Sequence, residues 1–427
     1  MWVTKNCRRF LKHKQFCIQI LTEKRLRYTT NPNQELPTPE YDIDYLCNPA
    51  NRDIIAANIE ARKGIGNIDK VLELSRKPEF KEAFLNELSK IPNQTDPLVL
   101  SYDKEPQFLR EYGCKRTFYF EPQEFSVLAK NLKIVKSESM GPVIGQRGYI
   151  FLGDLADLEK ALVHYTVQYL MKQGFQLISV PDIIPTEVIQ RCGLIMEKGR
   201  ALTYNLLTPF KHQYSLSGTA EMALAYKLMN TTLNSHDLPL RMAAVSRCFR
   251  AEVSHMVDER GLYRVHQFTK VEMFVCSEPD KSEKEFQNLQ EIQENLFSSL
   301  NLHFQVIDMP PHDLGAPAYR KVDIEGWMPG RKIYGELSSC SNCTDYQSRR
   351  LNIKYRTREG ELVHVHTLNA TACAIPRMII ALCETYQTQH HRIEIPEVLK
   401  PYMKEKLLIK KQPVANMRTY KYTPGIQ

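Results

Sequence analysis

The chain has 427 residues and a mass of 49.6 kDa, with 57 Lys+Arg against 49 Asp+Glu and a formal charge of +8. At 43% hydrophobic and 25% charged it is globular material, long enough for one large domain and a small appendage, and no apolar run of about 18 residues offers a membrane span. Its 11 cysteines are modest for the length and odd in number, and no signal-peptide core precedes them, which favours a reducing compartment over a disulfide-stapled secreted protein.

The charge is unevenly placed. Residues 1–30 hold Lys5, Arg8, Arg9, Lys12, Lys14, Lys24, Arg25 and Arg27 against the single acid Glu23, which leaves 49 basic and 48 acidic groups on residues 31–427. The basic residues alternate with Phe10, Leu11, Phe16, Ile18, Ile20 and Leu21, the pattern of a mitochondrial transit peptide over 1–30, with processing near Arg27–Asn33. The alternative is a basic tail that touches nucleic acid.

Residues 31–50 read as an extended entry, and 51–91 as a small helical element. One run contains Ile54, Ile55 and Ile59 and is interrupted by Gly64 and Gly66; a second contains Val71, Leu72, Leu74, Phe80, Phe84, Leu85 and Leu88, offset by Pro78. Neither leaves room for more than roughly 17–20 helical residues, or about 25–30 Å. From Gly113 the chain becomes a mixed domain. Asp154 is expected to cap a helix over 155–172 with Asp157 at N3 and an apolar side through Leu158, Leu162, Thr166, Tyr169 and Leu170, and Gly174 should stop it. A strand follows at 175–180, a helix at 219–230, strands at 247–252 and 263–275, a helix at 281–300 and a strand at 303–307. Segments 331–338 and 360–367 read as extended, and a helix runs from Ala374 toward Thr385. The segment 404–411 reads as a basic RNA-facing patch or a solvated final helix.

Polar residues gather in the middle of the chain. At period two, His266, Phe268, Lys270, Glu272 and Phe274 share one strand face, near Arg250 and Glu252 of the preceding strand. An aromatic beside both signs of charge suits a base or ring, an arginine fork suits phosphate, and Glu272 suits an ammonium; a salt-bridged sheet face is the plain alternative. Glu336 with Ser338 and Ser339 offers hard oxygen ligands for Mg²⁺. Cys340 and Cys343 form one CxxC without a second, so no zinc site is expected, and His364 and His366 remain weak partners. Arg377 follows Pro376 at a helix start after the small residues of 369–375, and Thr219 and Glu221 mark another helix start. There is no Walker loop and no Gly-x-Gly-x-x-Gly after a strand, so phosphate would need another grip.

These clusters, in this order, resemble the seryl-tRNA synthetases of class II, most of all the animal mitochondrial branch. The likeness covers roughly 110–400: the helix and strand ending at Pro181 (motif 1), 249–274 (motif 2), 368–384 (motif 3), and the intervening segments 323–331 and 336–350. The resemblance implies an α+β fold, a class II catalytic domain over 111–400 with an antiparallel sheet flanked by helices. A shortened helical tRNA-binding region would precede it over 31–110, and a tail would follow over 401–427. It implies ATP and Mg²⁺ as cofactors, serine and mitochondrial tRNA(Ser) as substrates, a homodimer through motif 1, a matrix location and no stable membrane insertion.

Residue by residue, Thr219 and Glu221 match the pair that recognises serine, and Glu272 the carboxylate on its amino group. Arg250 matches the arginine on the ATP α-phosphate and serine carboxylate, Glu252 and the following loop the adenosine contacts, and Phe268 the ring on adenine. Glu336 and Ser339 match metal positions, Arg377 the γ-phosphate arginine, and Asn369 and Thr371 the residues that close on the amino acid. Ala370 and Ala372 stand where bacterial members carry glycines, and the stub at 51–91 stands where members carry a long coiled-coil arm. A catalytically silent relative acting as a regulatory partner is the alternative reading. Lys81, Lys90, Arg349, Arg350, Lys354, Arg356 and Arg358 are candidate tRNA contacts.

Overall fold

A computed structural model of the chain describes residues 36–102, 104–136, 147–194, 203–207, 213–252 and 261–411. The 1–30 segment and residues 253–260 lie outside them, as does the end of the chain from 412. From Pro37 onward the chain forms one compact unit.

Its centre is an eight-stranded sheet: β1 (Gln107–Tyr112), β2 (Gln176–Leu177), β3 (Leu240–Phe249), β4 (Gln267–Ser277), β5 (Phe304–Asp308), β6 (Arg320–Met328), β7 (Ile333–Asn342) and β8 (His366–Ala374). In space the order is β1-β5-β6-β7-β8-β4-β3-β2. Every pair is antiparallel except β2 with β3, where Gln176 and Leu177 lie parallel to Met242 and Ala243. The strand expected at 175–180 is thus cut to two paired residues, followed by Ile178, whose N–H still donates to the Ala243 carbonyl of β3 at 2.8 Å; Phe175 is buried beside them. Strands 247–252 and 263–275 shift to β3 and β4, so Arg250 and Glu252 sit just past a strand end.

Helices cover this sheet. The helical stretches relevant here are α1 (Arg52–Ala61), α2 (Ile68–Leu74), α3 (Lys81–Lys90), α4 (Asp154–Lys172), α5 (Ala220–Leu228), α6 (Ser282–Ser299), α7 (Tyr346–Leu351) and α8 (Ile375–Thr385). In α4 the residues Leu158, Leu162, Thr166 and Leu170 are buried, as the spacing requires. Its cap differs from expectation: Gly153, at φ 54°, precedes the helix and Asp154 is its first residue. A side chain at Gly153 would be strained there, and the carboxylates of Asp154 and Asp157 instead face the Lys406 ammonium at 2.6 and 3.1 Å. The segment 404–411 is not helical: Leu408–Ile409 pairs with Ile393–Glu394, and Ile409 joins the main core.

The N-terminal element is three short helices rather than two. Ile55, Ile59, Ile68, Val71, Leu88 and Ile91 form its core, while Ile54 and Phe80 face solvent. At 10, 7 and 10 residues none exceeds about 15 Å. Pro78 starts a 3-10 turn ahead of α3, which is the break its ring dictates. The element is tied to the body that carries the main sheet by Arg62, which is 4% exposed. Its guanidinium donates to the carbonyls of Asn93 (2.8 Å), Ala316 (3.3 Å) and Gly315. Asn93 in turn donates to the carbonyls of Pro317 and Cys343.

The nine cysteines among the described residues are free thiols. No helix there is long and apolar enough to cross a membrane. Along the stretch that resembles motif 1, which ends at Pro181, Met171 and Leu177 are 57% and 46% exposed, and Ile183 just beyond it is 52% exposed.

Candidate active site

The site forms where the sheet opens. Strands β7 and β8 are paired at Cys340–Ala370, Ser341–Asn369 and Asn342–Leu368, and no further. Beyond that point an open cavity is lined by Glu336, Ser338 and Ser339 on one side and Thr371, Ala374 and Arg377 on the other. Arg250, Glu252, Tyr263, Phe268 and Lys270 complete its wall.

Cationic side chains gather at one end. Arg377 enters on the first turn of α8, after Pro376, and is held from several sides. Its guanidinium donates to Glu336 Oε1 at 2.9 Å and to the Glu336 carbonyl at 3.2 Å, and lies 4.7 Å from the Tyr263 ring centre. Tyr263 donates its hydroxyl to the same Glu336 carbonyl at 3.2 Å. Arg377, with Lys321 and Arg250 further off, holds the Glu336 carboxyl well below the ordinary carboxylate range, so it is ionised. Arg250 hangs from the end of β3, its backbone N–H donating to the His266 carbonyl at 2.9 Å and its guanidinium 5.4 Å from the Phe268 ring. Glu252 pairs with Arg264 at 3.6 Å. Arg331 also stands at Tyr263, 5.4 Å from the ring centre. It is placed there by Glu384, whose buried carboxylate accepts the backbone N–H groups of Gly330, Arg331 and Phe125. Gly330 is obligatory, since a Cβ would lie 2.2 Å from the Gln123 carbonyl oxygen.

Acidic groups lie beneath the floor. Glu272 is 1% exposed and does not line the cavity; it sits under Lys270 and Thr371. Lys270 Nζ is 2.6 Å from Glu272 Oε2, and the Thr371 hydroxyl donates to the same oxygen at 3.2 Å. The other carboxylate oxygen, Oε1, is buried and has no hydrogen-bond partner among the described residues. Glu221 lies further along, fixed by Gln347 Nε2 at 2.6 Å, and Gln347 accepts from Thr367 at 2.8 Å. Burial, then the nearby charge of Glu272, pushes the Glu221 carboxyl up to about 7.

The residues singled out in the sequence therefore fall into two groups. Arg250, Glu252, Phe268, Glu336, Ser339, Thr371 and Arg377 line one cavity. Thr219, Glu221, Glu272 and Asn369 do not. The Thr219 hydroxyl caps α5 by accepting from Glu221 N at 3.4 Å, and Asn369 Oδ1 accepts from the Cys343 thiol at 3.6 Å. Lys270 was visible at period two between Phe268 and Glu272 without a role. Tyr263, Gln347 and Lys321 carried no sequence signal, because their importance comes from partners far along the chain.

The donor set suits Mg²⁺: an ionised carboxylate and a hydroxyl, Glu336 and Ser339, share a wall of the cavity. Among the described residues no three His, Cys, Asp or Glu side chains converge on a point, so the rest of such a cation's ligands would be phosphate and water. Cys340 and Cys343 diverge, one thiol directed to the Phe286 carbonyl and the other to Asn369.

Residues 204–386 match the family described as the tRNA synthetase class II core domain (G, H, P, S and T). The chain is 36% identical over 400 residues to the serine–tRNA ligase of Dictyoglomus thermophilum, covering 87% of this chain and 93% of that one. It belongs to the serine–tRNA ligase family. Within that family it is 40% identical to the mitochondrial serine–tRNA ligase of Bos taurus over 331 residues, 77% of this chain and 64% of the bovine one. The chain thus spans a little under two thirds of the length of its mammalian mitochondrial relatives. Among solved structures, the seryl-tRNA synthetase of Pyrococcus horikoshii complexed with ATP is 31% identical with a TM-score of 0.73, covering 87% of this chain and 90% of that one. The cytoplasmic enzyme of Naegleria fowleri in complex with AMP gives 0.77 at 28% identity, covering 88% and 100%. The fold is accordingly the class II synthetase fold, an antiparallel sheet flanked by helices with a helical N-terminal element.

Proposed function

We propose that the chain is a mitochondrial serine–tRNA ligase, which activates serine with ATP and transfers it to mitochondrial tRNA(Ser). The observation that carries this is the juxtaposition of Arg250, Arg377 and Phe268 in one cavity above a buried acid, Glu272, with one oxygen unpartnered. An amino acid needs its ammonium neutralised and its carboxylate directed at a phosphate, and a buried acid near two arginines supports that reading.

In the first step the serine carboxylate attacks the ATP α-phosphate, giving seryl-adenylate and pyrophosphate. Glu272, beneath the floor and paired with Lys270, is the acid assigned to the ammonium through its unpartnered oxygen, with Asn369 and Thr371 beside it. Arg250 draws the carboxylate to the α-phosphate, and Arg377 meets the γ-phosphate. Phe268 stacks on adenine, and Glu252 with the loop after it meets the adenosine. Glu336 and Ser339 would hold Mg²⁺, which when bound offsets phosphate charge. Thr219 and Glu221 supply acceptors for the serine hydroxyl, so alanine would leave them unpaired. In the second step the terminal ribose hydroxyl of tRNA attacks the activated carbonyl. Positioning and fixed charge accomplish this without a covalent enzyme intermediate.

The likeness to mitochondrial relatives and the acid-poor segment 1–30 support a matrix location; motif 1 supports a homodimer. The test is serine-dependent ATP–pyrophosphate exchange, followed by aminoacylation of mitochondrial tRNA(Ser) transcripts. Exchange with serine but not alanine or threonine is expected; its absence would sink the reading. A silent regulatory relative would show none, and no observation favours it, since every site residue keeps its charge, hydroxyl or ring.

A further inference from the structure

We propose that Gln293 is a positioning residue that sets the width of the opening between β7 and β8, and so the spacing between the two halves of the site. The proposal rests on the serine-activating reading above. Gln293 projects from α6, is 1% exposed and does not line the cavity. Its side-chain amide Nε2 donates across the gap, to the Ser339 carbonyl at 3.1 Å on β7 and to the Thr371 carbonyl at 2.9 Å on β8, and lies 2.5 Å from Ser338 Oγ, which shares one of its two hydrogens. Ser338 Oγ donates to that same Thr371 carbonyl at 2.5 Å.

The location explains why side chains are needed there. The β7–β8 ladder ends at Cys340–Ala370, one residue short of Ser339 and Thr371, and β8 has already shifted register against β4 between Val271 and Glu272. Past the end of a ladder, backbone carbonyls have no strand partner, and strands are free to close or splay. Gln293 satisfies one carbonyl on each strand with a single planar group, which fixes their separation as a ladder bond would. Its orientation is set by chemistry. The reverse placement would point the amide oxygen at two carbonyl oxygens; as it stands, that oxygen is the atom left without a partner among the described residues.

What the bridge separates matters. Ser339 and Glu336 belong to the phosphate and metal side, Thr371 and Glu272 to the amino-acid side. A misplacement of about 1 Å between reacting groups can cost about 10²-fold in rate with little loss of binding. Gln293 therefore acts on turnover through Ser338, Ser339 and Thr371 and touches no substrate.

The test uses the full chain with Gln293→Met, which keeps length and removes the donors, and Ser338→Ala as a milder second cut. Exchange turnover with serine should fall roughly 10–100-fold for Gln293→Met, with the Kd values for serine and for ATP, from equilibrium dialysis, within about threefold of the parent. In parallel, without any ligand, amide hydrogen exchange should accelerate in peptides spanning 336–342 and 368–374 and not elsewhere. Gln293→Glu adds a pH signature: its carboxylate repels the carbonyls, and protonation restores one donor, so its turnover relative to Gln293→Met rises as pH falls. Unchanged turnover, or turnover and affinity falling together, would overturn the positioning role. If the parent chain shows no exchange with serine, the serine reading falls instead, and the ligand-free hydrogen-exchange experiment still decides the bridge: unchanged exchange in both peptides overturns it.

Discussion

Glu221 shows how far burial in this fold shifts a single side chain. Burial first, and Glu272 second, raise its carboxyl from 4.5 to about 7 in the folded chain. A carboxyl raised on folding adds stability that is complete below its unfolded value and is lost as pH rises through its folded one. At pH 8 it is ionised at a cost. Glu221→Gln should therefore raise the melting temperature of the ligand-free chain at about pH 8 by a few degrees, with the difference shrinking toward about pH 5. Discrimination of serine from alanine should weaken in the same variant. Arg377 offers the opposite case, a cation already paired to Glu336; Arg377→Ala should cut exchange by about 10²–10³-fold, with the fold kept by circular dichroism. At this scale much was legible: alternation along 263–274 placed Phe268 and Glu272 on one face. What alternation could not show was depth. Phe268 lines the cavity while Glu272 lies below its floor, because Lys270 and Thr371 come between.

Elements were read well where periodicity was long and poorly where a partner decides. Helices α4, α6 and α8 fall within a residue or two of expectation, since each buries an apolar side along most of its length. The N-terminal element was read as two runs and is three helices; Ile68 and Val71 pack on Ile55 and Leu88 to form a closed cluster instead of a hairpin. The tie to the body was invisible in sequence: Arg62 looks like any surface arginine on a helix end, yet it satisfies carbonyls from both sides of the junction. Arg62→Met should destabilise the chain by about 2–4 kcal/mol in urea unfolding, because those carbonyls lose their donor inside the protein. A change below about 1 kcal/mol would show that water replaces the guanidinium at no cost.

For the whole molecule, the +8 charge is a poor guide to RNA binding, since residues 31–427 are nearly neutral. Several basic residues that suggested tRNA contact are already engaged: Arg349 pairs with Asp345 at 2.6 Å, Lys354 with Glu40 at 2.8 Å, and Arg350 lies 3.4 Å from the Tyr346 ring centre. Lys90 pairs with Glu87 at 2.9 Å. Affinity for tRNA should accordingly fall gently with salt, with a log–log slope of roughly 2–4 in magnitude, and a slope near 8 would reveal a phosphate-binding surface that these pairings do not leave.

The apolar exposure of Met171, Leu177 and Ile183, next to a strand of two residues at the sheet's edge, has a thermodynamic consequence. Three large apolar side chains in water cost a monomer free energy that a second copy could recover. If motif 1 seats that copy, unfolding is coupled to dissociation, and the melting temperature stops being a property of one chain. It should climb by some degrees between about 0.5 and 50 μM protein, and Leu177→Lys should flatten the climb.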